Sequence, residues 1–159
     1  MAAPTDGGRG SGDRGRRPRR DGAAQPAATA ALLDPRDRPA NVDAERAVLG
    51  SILLKPDVCD DIALVVRAED FSDESHQLLY RHLLDLHDSG KRIDATIVVE
   101  RLKTQGDFER IGWAAALADV VQAVPHAAHA THYAAIVRDK SLLCSLIDAG
   151  TDILRDAYD

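Results

Sequence analysis

Six histidines, two cysteines and several adjacent carboxylates are the side chains with which this sequence could do chemistry. His126, His129 and His132 recur every third residue, a spacing that lets helical imidazoles point the same way, and neutral imidazole is a zinc ligand. Two features weaken that reading: His126 follows Pro125, at or before a helix start, and His126 and His132 within one helix would sit about 240° apart. The cluster therefore reads as surface histidines at a hairpin tip. His76, His82 and His87 spread around a helix and form no ligand face. Asp60 with Asp61, and Glu69 with Asp70, are sequence neighbours whose side chains diverge, so neither pair suits general acid and base work. Cys59 and Cys144 have no C-x-x-C arrangement and no adjacent cation to activate a thiolate, so both read as small buried hydrophobes. Ser89-Gly90-Lys91-Arg92 lacks the upstream glycine of a phosphate-binding loop and reads as a helix-ending turn. No catalytic, metal or cofactor site is expected here.

The remaining signal is architectural. Aliphatic-rich composition, 45% hydrophobic with only 4% aromatic, suits packed helices. No apolar run approaches the roughly 18 residues of a membrane span, and the first residues lack the apolar core of a signal peptide. A cytoplasmic protein is expected. The net charge of −6 conceals a segregation: residues 1–40 hold eight arginines against five aspartates, leaving 12 basic and 21 acidic residues for the rest. An acidic body is a poor general surface for nucleic acid, whose backbone attracts lysine and arginine.

Residues 1–39 are rich in Arg, Gly, Pro and Ala, with no hydrophobic periodicity beyond Ala31-Leu32-Leu33, and read as a disordered tail. Arg14-Gly15-Arg16-Arg17-Pro18-Arg19-Arg20 within it could touch nucleic acid electrostatically or simply solubilise the chain. The first helix follows: Asn41 caps it, Asp43 and Glu45 suit its positive end, and Val48, Leu49, Ile52 and Leu53 share a face. Gly50 inside it costs roughly 1 kcal/mol against alanine and suggests another backbone packed close by.

Asp57 is expected to cap a second helix buried through Val58, Ile62, Val65 and Val66, and Phe71 to plug a core between helices. Ser72 or Asp73 can cap a third helix that ends at Gly90, and a fourth runs through Ile97, Val98 and Leu102 to Gly106, with Phe108 and Ile111 as anchors beyond it. Trp113, Ala116, Leu117, Val120 and Val121 define an amphipathic helix over residues 112–123. From about Ala128 a long helix carries Tyr133, Ile136, Val137, Leu143, Ile147, Gly150 and Leu154 at roughly heptad spacing, with Lys140 interrupting and Leu142, Leu146 and Ile153 widening the stripe. About 28 such residues span roughly 42 Å, too long for the short partner to cover. The excess apolar surface predicts a partner subunit or a following domain.

The order and spacing of several short markers carry a resemblance: Asn41-Val42-Asp43-Ala44-Glu45 with Val48-Leu49-Gly50, then Glu69-Asp70-Phe71 with His76 and Leu79-Tyr80, then Ile93-Asp94, Glu100-Arg101-Leu102 and Ile111-Gly112. The last is Tyr133-Ala134-Ala135-Ile136-Val137-Arg138-Asp139-Lys140 with Leu146-Ile147 and Ala149-Gly150. Together they resemble the N-terminal domain of bacterial replicative DNA helicases of the DnaB type. The chain departs from the pattern at Trp113 and Ala116, where a glycine and an aromatic are usual. It also lacks an asparagine in Pro125-His126-Ala127-Ala128-His129-Ala130, and Cys144 and Ser145 replace basic residues.

The resemblance implies an all-α fold: a small globular helical bundle, residues 40–111, followed by a projecting helical hairpin, residues 112–159, leading toward a C-terminal motor. It implies a collar domain that supports assembly of a hexameric ring and docks primase and a helicase loader, dimerising through the hairpin. The implied interface residues are Trp113, Leu117, Val120, Val121, Tyr133, Ile136, Val137, Lys140, Leu143 and Ile147. ATP and magnesium would belong to the motor, as would most contact with single-stranded DNA, in a cytoplasmic, nucleoid-associated protein. Tyr158-Asp159 fall within or just past the long helix without a clear cap, which reads as a cut inside a longer protein. The alternative is a free-standing all-α adaptor without helicase activity.

Overall fold

The computed structural model describes residues 38–124 and 126–158, apart from the side chains of Trp113, Ala114 and Tyr158. The described residues form six α-helices and no strand: α1 (Val42–Leu54), α2 (Cys59–Ala63), α3 (Glu74–Asp88), α4 (Ala95–Gln105), α5 (Trp113–Gln122) and α6 (Ala130–Tyr158), with single 3₁₀ turns at Pro56–Val58, Ala68–Asp70 and Ala127–His129. The all-helical expectation holds. The expected tail falls outside the described residues, as does Pro125.

Capping follows the sequence closely. The Asn41 side chain accepts from the Ala44 amide, Asp73 from Ser75 and Asp94 from Ile97, each satisfying an amide that the first turn leaves orphaned. Gly106 closes α4 with φ 77°, a left-handed conformation that costs glycine little. The second helix departs from expectation. Pro56 starts a 3₁₀ turn that consumes the residues assigned to its first turn, so α2 begins only at Cys59 and Asp57 does not cap it. Ile62 and Val66 are buried as expected, whereas Val58 and Val65 are only partly so.

α1 is the axis of the fold. Ala44, Val48, Leu49, Ile52 and Leu53 are buried, and the helix packs more extensively on α6 and α5 than on any other element. Covering each leucine or isoleucine contributes roughly 1.5–3 kcal/mol, so this helix supplies a large part of the driving force. α5 and α6 therefore meet mainly through α1, touching each other far less. Gly50 explains how α5 comes so close. A β-carbon there would stand 2.3 Å from the Val120 carbonyl oxygen and 2.3 Å from Val124 Cγ2, so the two backbones are in contact at that point. On the other flank, Phe71 and Tyr80 pack with ring centroids 4.9 Å apart, both fully buried, and the Tyr80 hydroxyl donates to the Val66 carbonyl. Ile111 is buried and Phe108 packs at the edge of the core.

Candidate partner-binding surface

Polar side chains with fixed partners first set the framework that presents the surface. Glu45, 2% exposed, accepts from the Ser72 amide at 2.7 Å, the Ser72 hydroxyl at 2.6 Å and the Asp73 amide at 3.4 Å, and contacts His76 Nδ1 at 2.7 Å. Burial alone would raise its pKa; the hydrogen bonds from His76 and Ser72 outweigh burial and hold it below the usual glutamate value. The carboxylate that the sequence offers as a helix-end charge is thus the tie between α1 and the start of α3.

Asp70 plays the same part for α6. It accepts from the Arg67 amide at 2.8 Å, from Arg138 at 2.7 Å and from the Ser141 hydroxyl at 2.6 Å. Burial pushes its pKa up, and these bonds, Ser141 foremost, bring it below the ordinary range. Arg38 pairs with Asp148, and the Cys144 thiol donates to the Pro39 carbonyl, so the stretch entering α1 is fastened along the same flank of α6. A cleft of about 400 Å³ lies there, lined by Arg38, Asp70, Lys140, Ser141, Cys144 and Asp148 among others.

The groups singled out for chemistry take structural places. His126, His129 and His132 are exposed, with His126 outside α6 and ring centroids of His126 and His129 5.9 Å apart. Among the described residues no three potential metal ligands converge. The α3 histidines each face a carboxylate of a different element: His76 faces Glu45, His82 Nε2 lies 3.0 Å from Asp107, and His87 Nε2 lies 2.8 Å from Asp60. Arg101 Nε donates to His82 Nδ1 at 3.3 Å, which places the His82 proton on Nε2, facing Asp107. Cys59 is fully buried, and burial, with Asp60 and Asp88 nearby, pushes its thiol up to about 11. Cys144 differs from expectation: it is half-buried and hydrogen-bonded rather than a core side chain.

The surface residues sort into three groups. Leu117, Val120 and Val137 are buried in the main core, 5%, 2% and 1% exposed, and are spent on the chain's own folding. Val121, Tyr133 and Ile136 pack at its edge, and Lys140 and Ile147 are half-exposed; Trp113's side chain lies outside the described part. Leu117 and Val121 also line an apolar groove of about 370 Å³ between α4 and α5, with Ala95, Val99 and Ala118. Leu143 is 45% exposed and belongs to a larger set with Leu142, Leu146, Ile153 and Leu154, which range from 45% to 69%.

The long apolar stripe read along α6 is in fact two. At 100° per residue Leu142, Leu146 and Ile153 fall within about 40° of one another, whereas the buried Ala130, Ala134 and Val137 lie roughly 80–180° away around the axis. The face that meets α1 continues outward as Ser141, Cys144 and Asp148, polar residues that fasten the flank. The outer apolar residues look away from it. Helical spacing separates the two faces; which of them is covered is decided by burial against α1 and the core.

Among the described residues, α6 carries an exposed apolar flank formed by Leu142, Leu146 and Ile153 on an all-helical scaffold. The chain belongs to the DnaB-like helicase N terminal domain family, whose model matches residues 37–139. It is 39% identical over 127 residues to the replicative DNA helicase DnaC of Bacillus subtilis, covering 80% of this chain and 28% of that protein. It is likewise 39% identical over 123 residues to the replicative DNA helicase DnaB of Mycobacterium leprae, covering 77% of this chain and 20% of the relative. The chain thus spans between a fifth and about a quarter of these relatives' lengths. The crystal structure of the N-terminal domain of Mycobacterium tuberculosis DnaB helicase superposes with a TM-score of 0.75 at 38% identity, covering 77% of this chain and 88% of that one. The Helicobacter pylori DnaB N-terminal domain, solved with attention to its interactions with primase, shares the fold at 18% identity and a TM-score of 0.62, covering 82% of this chain and 98% of that one. Among the described residues no helix is long and apolar enough to cross a membrane.

Proposed function

We propose that this chain is the N-terminal collar of a hexameric replicative DNA helicase, acting in ring assembly and in docking primase, with a helicase loader as a further client. ATP-driven unwinding would belong to a motor domain, which would hold ATP and magnesium and contact most of the single-stranded DNA; the assembly would work in the cytoplasm, at the nucleoid. The observation that carries the reading is the exposed apolar face of α6, Leu142, Leu146 and Ile153, held outward by a helix whose other side is fixed on α1. Exposed apolar surface on a rigid element favours association with another protein. Family membership supplies the context, and the description of the H. pylori relative with primase supports the choice of partner.

The face would act mechanically. α6 is one continuous helix of 29 residues, so a load applied at Leu146 or Ile153 reaches the Asp70 clasp and the α1 contact without an intervening hinge. The test is light scattering of the chain over a concentration series and calorimetric titration with the cognate primase, on the parent and on L142S/L146S/I153S. The parent should exceed its monomer mass of 17.1 kDa and bind primase, and the triple variant should lose at least tenfold in one or both while keeping its helical circular dichroism. A parent that stays monomeric and ignores primase would overturn the proposal, as would a triple variant that matches it.

A further inference from the structure

Helix α3 carries three histidines, and each turns a ring nitrogen to a carboxylate of another element: His76 to Glu45 of α1, His87 to Asp60 of α2 and His82 to Asp107, just beyond α4. His82 differs from the other two in using both nitrogens. Its Nε2 lies 3.0 Å from Asp107, and its Nδ1 accepts from Arg101 Nε of α4 at 3.3 Å. An imidazole that donates at one nitrogen and accepts at the other is neutral, so a second proton has one place to go, the nitrogen that receives Arg101. At His76 and His87 an added proton turns a neutral contact with a carboxylate into a charged one and tightens it. At His82 it sets two N–H groups and two positive charges against each other across 3.3 Å.

The surroundings make that repulsion a selective release. His82 is 7% exposed, so its ring stays between its partners. The charged groups about it are Arg101 from α4, Asp85 of α3, which accepts from Arg101 at 3.0 Å, Asp107 beyond α4, and Arg110, which donates to Asp107 at 3.1 Å and to Glu74 at the start of α3 at 2.8 Å. The bond from His82 foremost, with help from Arg110, holds Asp107 below the ordinary aspartate pKa, so it remains a charged partner for an imidazolium in mild acid. Arg101 can leave, because its side chain is partly exposed and Asp85 and water receive it. α3 is the helix that α4 meets most, and only Val98 and Leu102 of α4 are buried, so this arginine is a substantial part of what fixes α4. We propose that His82 is a proton-operated latch: neutral, it holds α4 on α3 through Arg101; protonated, it releases α4 while keeping Asp107. Ala95 and Val99 of α4 form one wall of the apolar groove with α5, so the latch governs how firmly that groove is held. The latch does not rest on the collar reading.

The experiment is amide hydrogen exchange of the full 159-residue chain at pH values of about 7.5 and 5.5, on either side of the ordinary imidazole range, with intrinsic exchange divided out. Protection of the α4 amides in the parent should fall about tenfold at the lower pH, as expected for losing one hydrogen bond made by a charged group, while α1 and α3 keep theirs. Two variants remove the response by different routes. H82N retains an acceptor for Arg101 but takes up no proton, so α4 stays protected at both pH values. R101M keeps the apolar stem and loses the donor, so α4 is already loosened at the higher pH and falls no further. Where H82N does not keep its helical circular dichroism, R101M decides alone. Nitrogen NMR of the labelled imidazole should find the His82 proton on Nε2 at the higher pH. Equal α4 protection at both pH values in the parent, an undiminished response in R101M, or a proton on Nδ1 at the higher pH would overturn the proposal.

Discussion

The inner and outer parts of α6 are made of similar residues and have opposite fates. Ala130, Ala134 and Val137 are 2% exposed or less, enclosed by α1 and the core, while Leu142, Leu146 and Ile153, which are larger and more apolar, stay in water. The small residues are inside because they lie on the face of α6 that packs against α1 and the core. The large residues are outside because the flank facing the chain's own body is already occupied by Ser141, Cys144 and Asp148. Hydrophobicity alone therefore does not say where an aliphatic side chain goes. The area of neighbour available to cover it does, and here the outer part has none within the described residues.

Substitutions sharpen the contrast, beginning with the most damaging. Val137→Asp would place a carboxylate at a site 1% exposed without a cation built to receive it, and should cost about 4 kcal/mol or more, read as loss of the cooperative urea transition. A milder effect would mean that the inner half of α6 is not anchored as described. Next is the Glu45 tie. Because its folded pKa is lowered, its contribution is present above the ordinary glutamate range, about 4.5, and is lost as pH falls through the lower folded value. Glu45→Ala should destabilise by about 3 kcal/mol at pH 7 and flatten that acid limb, leaving a stability-versus-pH curve measurably shallower below pH 5.

Gly50→Ala comes third. Alanine gains roughly 1 kcal/mol of helix propensity, but its methyl meets the Val120 carbonyl oxygen, a backbone atom that cannot rotate aside. Overpacking of 1–3 kcal/mol or more should win, for a net loss of about 1–2 kcal/mol, with exchange of the α5 amides accelerated before those of α3. A more stable alanine variant would show that α5 does not sit against α1. The smallest effect is expected at Leu146→Asp, which should move unfolding by no more than about 0.5 kcal/mol while weakening the partner association proposed for the outer face of α6. Stability lost there to the same extent as at Val137 would erase the distinction between the two halves.

Much of this was legible in the residues. Asn41, Asp73 and Asp94 announced helix starts because a short polar side chain next to orphan amides has one favourable use. Gly106 announced a stop because its left-handed conformation is cheap only without a β-carbon. Gly50 hinted at a close backbone approach, since a glycine inside a helix is unfavourable without one, and Phe71 marked a core in a chain with few aromatics. The start of the second helix is not legible, because Pro56 can open either an α-helix or a 3₁₀ turn and local propensity does not distinguish them. Local sequence offers Glu45 only as a helix-end charge. Its real partners, Ser72, Asp73 and His76, lie 27 to 31 residues away, beyond any local signal.

The sequence by itself determined the helical class, the order and approximate limits of the helices, the aliphatic core of α1 and the family, because periodicity, caps and short motifs are written over a few neighbouring residues. Only the tertiary structure decided which aliphatic residues α1 covers, that Glu45 and Asp70 are buried ties rather than surface charges, and which of the two apolar faces of α6 is enclosed. Those outcomes depend on which distant segment arrives at a given side chain, and that is set by packing the whole chain at once.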